Sequence, residues 1–160
     1  MRSSKKKKGK ERVVAVSGGF DPIHKGHVRL FKEAKALGQK LVVILNNDNW
    51  LRRKKGFVFM DENERREVLL SIRYVDDVML TKHSPDSKDM SVSEALRELR
   101  PDIFANGGDR TKKNIPEIAV CNEIGCDMVF SVGLGGKVQS SSWLVSKLKE
   151  KKENDQERKN

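Results

Sequence analysis

Two uninterrupted apolar runs, VVAV at 13–16 and LVVIL at 41–45, constrain this chain more than any other feature. A strand with one wet face alternates apolar and polar residues, whereas a continuous run fits a strand covered on both faces, as in a parallel sheet. Weaker runs of the same kind stand at VMLT (78–81), DIFA (102–105) and MVFSV (128–132). Between them the spacing turns helical. Val28, Phe31, Ala34 and Leu37 share one helical face, and Gly38 is placed to end that helix. Asp61 followed by Glu64 reads as a capping box, with Val68, Leu69 and Ile72 on the apolar side of the helix it opens. Ser91–Leu99 reads as a third helix closed by Arg100-Pro101, and Asn114, Pro116 and Glu117 open a fourth. A last helix starts near Ser140 and runs into the charged C-terminus.

Strand and helix alternating about five times predict an α/β fold, a Rossmann-like doubly wound parallel sheet of about five strands in a single domain. Ligands in such sheets bind beyond the carboxyl ends of the strands. The net charge of +10 suggests a polyanion partner until it is located. Residues 1–12 carry seven Lys/Arg against one Glu, and 147–160 carry six against four acidic residues. The excess thus sits mainly in the tails, and few aromatics accompany it, which argues against a nucleic-acid partner. The expected organisation is a basic, disordered tail at 1–11, a catalytic domain at 12–150 and a charged tail at 151–160. No run of about 18 apolar residues and no secretory signal pattern is present, so a cytoplasmic protein without a membrane partner is expected. Cys121 and Cys126 fit neither a redox pair nor a four-ligand zinc site and read as buried free thiols.

The first strand opens into SGGFDPIHKGH, residues 17–27. Gly18 and Gly19 let backbone approach a ligand, and the helix beginning near Gly26 aims its N-terminus at the same space. A dinucleotide fingerprint G-x-G-x-x-G is absent, while His24 and His27 stand three apart. Zinc would need a third supporting ligand, and His83 is the only other histidine. Two imidazoles beside backbone donors at a helix start suit a phosphate better.

GGFDPIHKGH resembles the signature of the H-x-G-H nucleotidyltransferase superfamily, in which glycerol-3-phosphate cytidylyltransferases, the adenylyltransferase domain of ADP-heptose synthases and archaeal FAD synthetases fall. The resemblance extends over roughly residues 12–148. It implies attack of a substrate phosphate on the α-phosphorus of an NTP, with pyrophosphate expelled. Positioning and electrostatic stabilisation carry most of such a reaction. By this resemblance His24 and His27 contact the triphosphate, while Phe20, Gly18, Gly19 and Gly26 shape the nucleotide cleft. Asp21 is assigned to the substrate side, with a turn at Pro22 as the other explanation.

NNDNWLRRKKG (46–56) resembles the family's basic loop after the second strand; Lys54 matches its catalytic lysine, and Lys55 stands in for a second. DENERREVLLSIRYVDDV (61–78) resembles a segment whose early arginine, here Arg65, reaches substrate phosphate, a surface ion pair with Asp61 or Glu62 being the alternative. Arg73, Tyr74 and Asp76 are read as packing or as a subunit contact, since related proteins form homodimers. NGGDR (106–110) resembles the glycine-aspartate loop of heptose adenylyltransferases, which assigns Gly107 and Asp109 to the nucleotide, a plain turn being the alternative. In GGKVQSSSWLV (135–145) the hydroxyls of Ser140, Ser141 and Ser142 can cap a helix and donate to phosphate, with Ser141 assigned to catalysis. The cytidylyltransferase arginine before this run is missing, and Lys137 is the only cation nearby, so ATP is favoured over CTP. Trp50 and Trp143 are expected in the core. Mg²⁺ is expected on charge grounds, held by the NTP phosphates and not by protein ligands. The acceptor is a small phosphorylated alcohol or sugar; an FAD-synthetase-like adenylyltransferase and a nucleotide-binding regulator without turnover are the alternatives.

Overall fold

The fold is taken from a computed structural model that describes residues 9–108, 110, 115–133 and 140–157. Among them run β1 (Val13–Gly18), α1 (Lys25–Ala36), β2 (Lys40–Leu45), α2 (Asp48–Lys55) and α3 (Glu62–Leu70). There follow β3 (Asp77–Leu80), α4 (Ser93–Leu99), β4 (Ile103–Gly107), α5 (Ile118–Ile124), β5 (Asp127–Val132) and α6 (Ser141–Glu157). The five strands form one sheet in the order β3-β2-β1-β4-β5, and every pairing is parallel. β1 and β2 run in register from Val13 opposite Lys40 to Gly18 opposite Leu45.

Why the apolar runs are continuous is evident from their position. β1 and β2 are interior strands, and Val14, Ala15, Val16 and Leu41–Leu45 are at most 2% exposed. On one face Val14, Val16 and Val43 pack with Phe31 and Ala34 of α1 and Leu69 of α3. On the other, Ala15, Ile44 and Phe104 pack with Leu96 of α4 and Val120 of α5. Each Val, Leu, Ile or Phe among them contributes about 1.5–3 kcal/mol by leaving water, and both sheet faces are closed by helices as the doubly wound pattern requires. Cys121 and Cys126 are buried free thiols in the second cluster; burial, with Cys121 alongside, pushes the Cys126 thiol up to about 12.

Several local expectations are corrected. Val28 is 38% exposed, and Leu30 instead packs against the core from α1. Gly38 does not end α1 by a left-handed cap, since Leu37 already does so in the right-handed region. Its role is close approach: a Cβ there would stand 2.7 Å from the Arg12 carbonyl. The basic run 52–55 is not a loop but the last part of α2, capped by Asn47 and closed by Gly56 at φ 82. Trp50 is half-buried and donates its Nε1–H to the Met90 carbonyl at 2.8 Å, but Trp143 is 50% exposed. α6 runs through position 150 into the charged C-terminus, as its sequence suggested. In the 73–76 segment, Arg73 lies over the Tyr74 ring, and Asp76 pairs with Lys35 while accepting from the Leu41 amide. The basic run at 5–8 lies outside the described residues. No helix among the described residues is long and apolar enough to cross a membrane.

Candidate active site

The carboxyl ends of β1 and β4 open into a cavity of about 310 Å³. His24 and His27 stand at its edge, at the start of α1. His24 is the N-cap residue, and its Nδ1 accepts from the Gly26 amide at 3.1 Å. Three residues on, His27 answers: its Nδ1 accepts from the His24 amide at 3.3 Å. This is a capping box built from two histidines, and the rings stack with centroids 3.7 Å apart. Because each Nδ1 accepts a backbone N–H, each neutral ring carries its proton on Nε2. Burial, with His24 and Lys55 adding to it, lowers the His27 pKa to about 3. His27 therefore offers the cavity a neutral imidazole and not imidazolium charge.

The same geometry corrects an expectation. The Gly26 amide is used on His24 Nδ1, and the amides of His27 and Val28 donate to the His24 carbonyl at 3.0 and 3.3 Å. Most of the first-turn backbone donors expected to cradle a phosphate are thus already engaged, and the imidazoles take over that task. Phe20 supports them from below. Its ring meets His27 edge-on at 4.8 Å and Phe31 at 5.2 Å. That packing holds the residue at φ 50, a conformation that costs a bulky side chain on the order of 1 kcal/mol.

Gly18, Gly26, Gly107, Ser140 and Ser142 also line this cavity. Asp109 and Lys137 lie outside the described residues. Gly19 does not line it: a Cβ at Gly19 would stand 2.8 Å from Leu51, so its bareness serves packing against α2. Ser141 is buried, and its hydroxyl donates to the Pro22 carbonyl at 2.8 Å. Its only proton fastens α6 to the histidine loop, while Ser142 is exposed beside it.

A second cavity of about 280 Å³ adjoins the first and shares Lys55, Ser141 and Ser142 with it. Lys54, Phe57, Val145 and Lys149 complete much of its wall. Lys55 therefore borders both cavities and Lys54 only one. Partial burial lowers the Lys55 pKa, opposed by the Asp21 carboxylate and reinforced by Arg65.

Two residues assigned to substrate have other partners. Both Asp21 oxygens accept backbone amides, of Phe59 and Met60, at 2.7 Å each. Arg65 is 1% exposed, and its guanidinium donates to the carbonyls of Met60, Gly19 and Asn46 and to the Asp48 carboxylate at 2.6–2.9 Å. It is not a surface ion pair with Asp61 or Glu62; it ties the ends of β1 and β2 to α2. The third histidine is likewise structural, since His83 bonds Thr81 and the Ser91 carbonyl at 2.9 Å each.

Sequence reasoning passed over Arg29, Asn106 and Arg110, all on the first cavity, and Lys149 on the second. The available signal was position: Arg29 follows the histidine pair by two residues, and Asn106 opens NGGDR.

A cytidylyltransferase-like family model matches residues 15–142. The FAD synthase of Pyrococcus horikoshii is 43% identical over 98 residues, which cover 61% of this chain and 63% of that protein. The bifunctional protein HldE of Helicobacter pylori is 33% identical over 141 residues, 87% of this chain and 28% of that protein. The match thus spans less than two thirds of the first relative and under a third of the second. The crystal structure of the lipopolysaccharide core biosynthesis protein from Thermoplasma volcanium is similar at TM-score 0.64 and 27% identity, covering 78% of this chain and 99% of that one.

Proposed function

Since the chain belongs to the cytidylyltransferase-like family, we propose that it is a nucleotidyltransferase moving NMP from ATP or CTP onto a small phosphorylated acceptor. An acceptor phosphate oxygen attacks the α-phosphorus, the bond from that phosphorus to the bridging β-phosphate oxygen breaks, and pyrophosphate leaves with the electron pair. The observation that carries the reading is the reciprocal His24–His27 cap, which commits both Nδ1 atoms to the backbone and seats the two stacked rings on the cavity lining. Neutral donors of this kind stabilise the charge spread over a transferring phosphoryl group without needing a change of protonation state.

The two adjoining cavities support a division of labour, with the nucleotide in the first and the acceptor in the second. Lys55, on both, is suited to bridge the two phosphate groups, and Lys54 and Lys149 to hold the acceptor phosphate as point charges. Magnesium fits this reading only as part of the MgNTP substrate: among the described residues no cluster of His, Cys, Asp or Glu could hold a metal ion, and both oxygens of Asp21 are engaged by backbone. No step is assigned to it. A homodimer belongs to the same proposal.

A second reading of the acceptor is FMN, as an FAD synthase would require. Phe57 and Val145 on the second cavity favour it by offering an apolar wall beside the lysines. Pyrophosphate release tests both: ATP, CTP, GTP and UTP are screened against glycerol 3-phosphate, sugar 1-phosphates and FMN. Release with one acceptor supports the proposal and names the substrate. NTP binding without release from any acceptor would replace it with a nucleotide-binding regulator.

A further inference from the structure

The carboxyl end of β4 carries an atom that the fold leaves without a partner. Asn106 is 3% exposed, and its Nδ2 donates to the Phe104 carbonyl at 3.3 Å. That bond fixes which end of the amide is which, because a carbonyl oxygen accepts and cannot donate. Oδ1 is then a buried acceptor with no hydrogen-bond partner among the described residues. Buried acceptors are nearly always paired, and one left open at a cleft wall points to a partner arriving from outside.

Asn46 Oδ1 and Glu117 Oε2 are open in the same sense. Neither residue lines the first cavity, and Glu117 Oε2 faces the Arg110 guanidinium at 3.6 Å. Asn106 does line the cavity, between Ala105 and Gly107. Of the three atoms, Asn106 Oδ1 alone belongs to a residue that lines this cavity.

The chemistry of the atom narrows the partner. An amide oxygen must receive a hydrogen, and ionised phosphate oxygens have none to give. On the nucleotidyl-transfer reading the phosphates fall to His24 and His27, which line the same cavity. What remains of an NTP is its sugar, with hydroxyl donors, and its base, with an amino donor in adenine and cytosine. We infer that Asn106 is a nucleoside-recognition residue whose Oδ1 accepts a hydrogen bond from an O–H or N–H group of the bound nucleotide. The inference rests on the nucleotidyl-transfer reading above.

Calorimetric titration of ATP, or of CTP should ATP be refused, into the unmutated chain and Asn106→Leu tests it. Leucine keeps the volume and removes the acceptor. Affinity is expected to fall roughly ten- to a hundredfold, while the melting temperature stays nearly unchanged because removing an unpaired buried acceptor offsets the loss of the 3.3 Å bond to the Phe104 carbonyl. On the unmutated chain, 2′-deoxy and 3′-deoxy analogues and the amino-lacking ITP or UTP locate the donor. Weakened binding of a deoxy analogue assigns it to that hydroxyl, and weakened binding of ITP or UTP assigns it to the base. This arm does not depend on the variant folding. Asn106→Leu binding within about twofold of the unmutated chain overturns the inference and leaves nucleotide binding intact, as does equal binding of every analogue. Refusal of both ATP and CTP by the unmutated chain overturns the nucleotide reading as well, so the two failures are distinguishable in one series.

Discussion

Replacing Arg65 by Met removes every donor of a buried guanidinium while keeping most of its aliphatic stem. Four bonds are lost: to Met60 O at 2.9 Å, Gly19 O at 2.8 Å, Asn46 O at 2.6 Å and Asp48 Oδ1 at 2.7 Å. A hydrogen bond involving a charged group contributes about 1.5–3 kcal/mol, and stranding one member of a buried ion pair costs about 3–5 kcal/mol. The Asp48 side chain, at 15% exposure, regains some water, and the four bonds act as one unit, so their costs do not add. A loss of about 4 kcal/mol follows, a large part of the 5–15 kcal/mol that holds a typical domain together. Arg65→Lys recovers little, because one ammonium cannot span the carbonyls of two strands and a carboxylate. Urea unfolding of both variants measures the cost. Should Arg65→Met lose less than about 1.5 kcal/mol and instead raise the KM for the acceptor, Arg65 would be a substrate contact and the reasoning from burial would fail.

Lys55 borders both cavities and Lys54 only the second, so Lys55→Ala is expected to cut pyrophosphate release roughly tenfold or more beyond Lys54→Ala; equal losses in steady-state assays would remove the bridging role. Burial, then His24 and Lys55, hold the His27 pKa at about 3 against 6.5 unperturbed. Between those values the unfolded chain binds a proton that the folded chain refuses, so stability is full above pH 6.5 and declines as the pH falls toward 3, by at most about 1.4 kcal/mol per pH unit. In His27→Gln that component of the acid slope disappears, and an unchanged slope from pH 6.5 to 4 would contradict a buried neutral His27.

The parts of the fold that were legible are those where local pattern and global position agree. β1 and β2 are continuous apolar runs because they lie inside the sheet. β3 and β5 lie at its edges, begin at the exposed Asp77 and Asp127, and gave weaker runs, as did β4, which is interior but passes into Asn106 and Gly107. α2 was hidden because only Leu51 of its eight residues is buried, so charge masked the periodicity. Its punctuation was present all the same, with Asn47 as cap and Gly56 at the end.

In the site, the histidine pair was legible as a motif, but its chemistry was not. Which nitrogen is committed to the backbone depends on amides that only the helix start brings together. The partners of Arg65 and Asp21 were hidden for a related reason, although Asp21 does line the second cavity. A buried charged side chain is identified by its partners, here the carbonyls of Gly19 and Asn46 and the amides of Phe59 and Met60, which lie far away in sequence. Asn106 escaped notice because an unpaired acceptor is a property of surroundings and leaves no mark in a sequence.

The account depends most on the two Nε2–H donors, and His24→Asn tests them directly. Asparagine keeps the N-cap acceptor, so the loss of about 1 kcal/mol expected for His24→Ala is avoided, while the donor reaching the cavity is withdrawn. Pyrophosphate release from the best NTP–acceptor pair is measured for the unmutated chain and for His24→Asn, together with thermal unfolding. The account predicts an unchanged melting temperature with turnover reduced roughly a hundredfold or more. Near-normal turnover in a folded His24→Asn protein would contradict it.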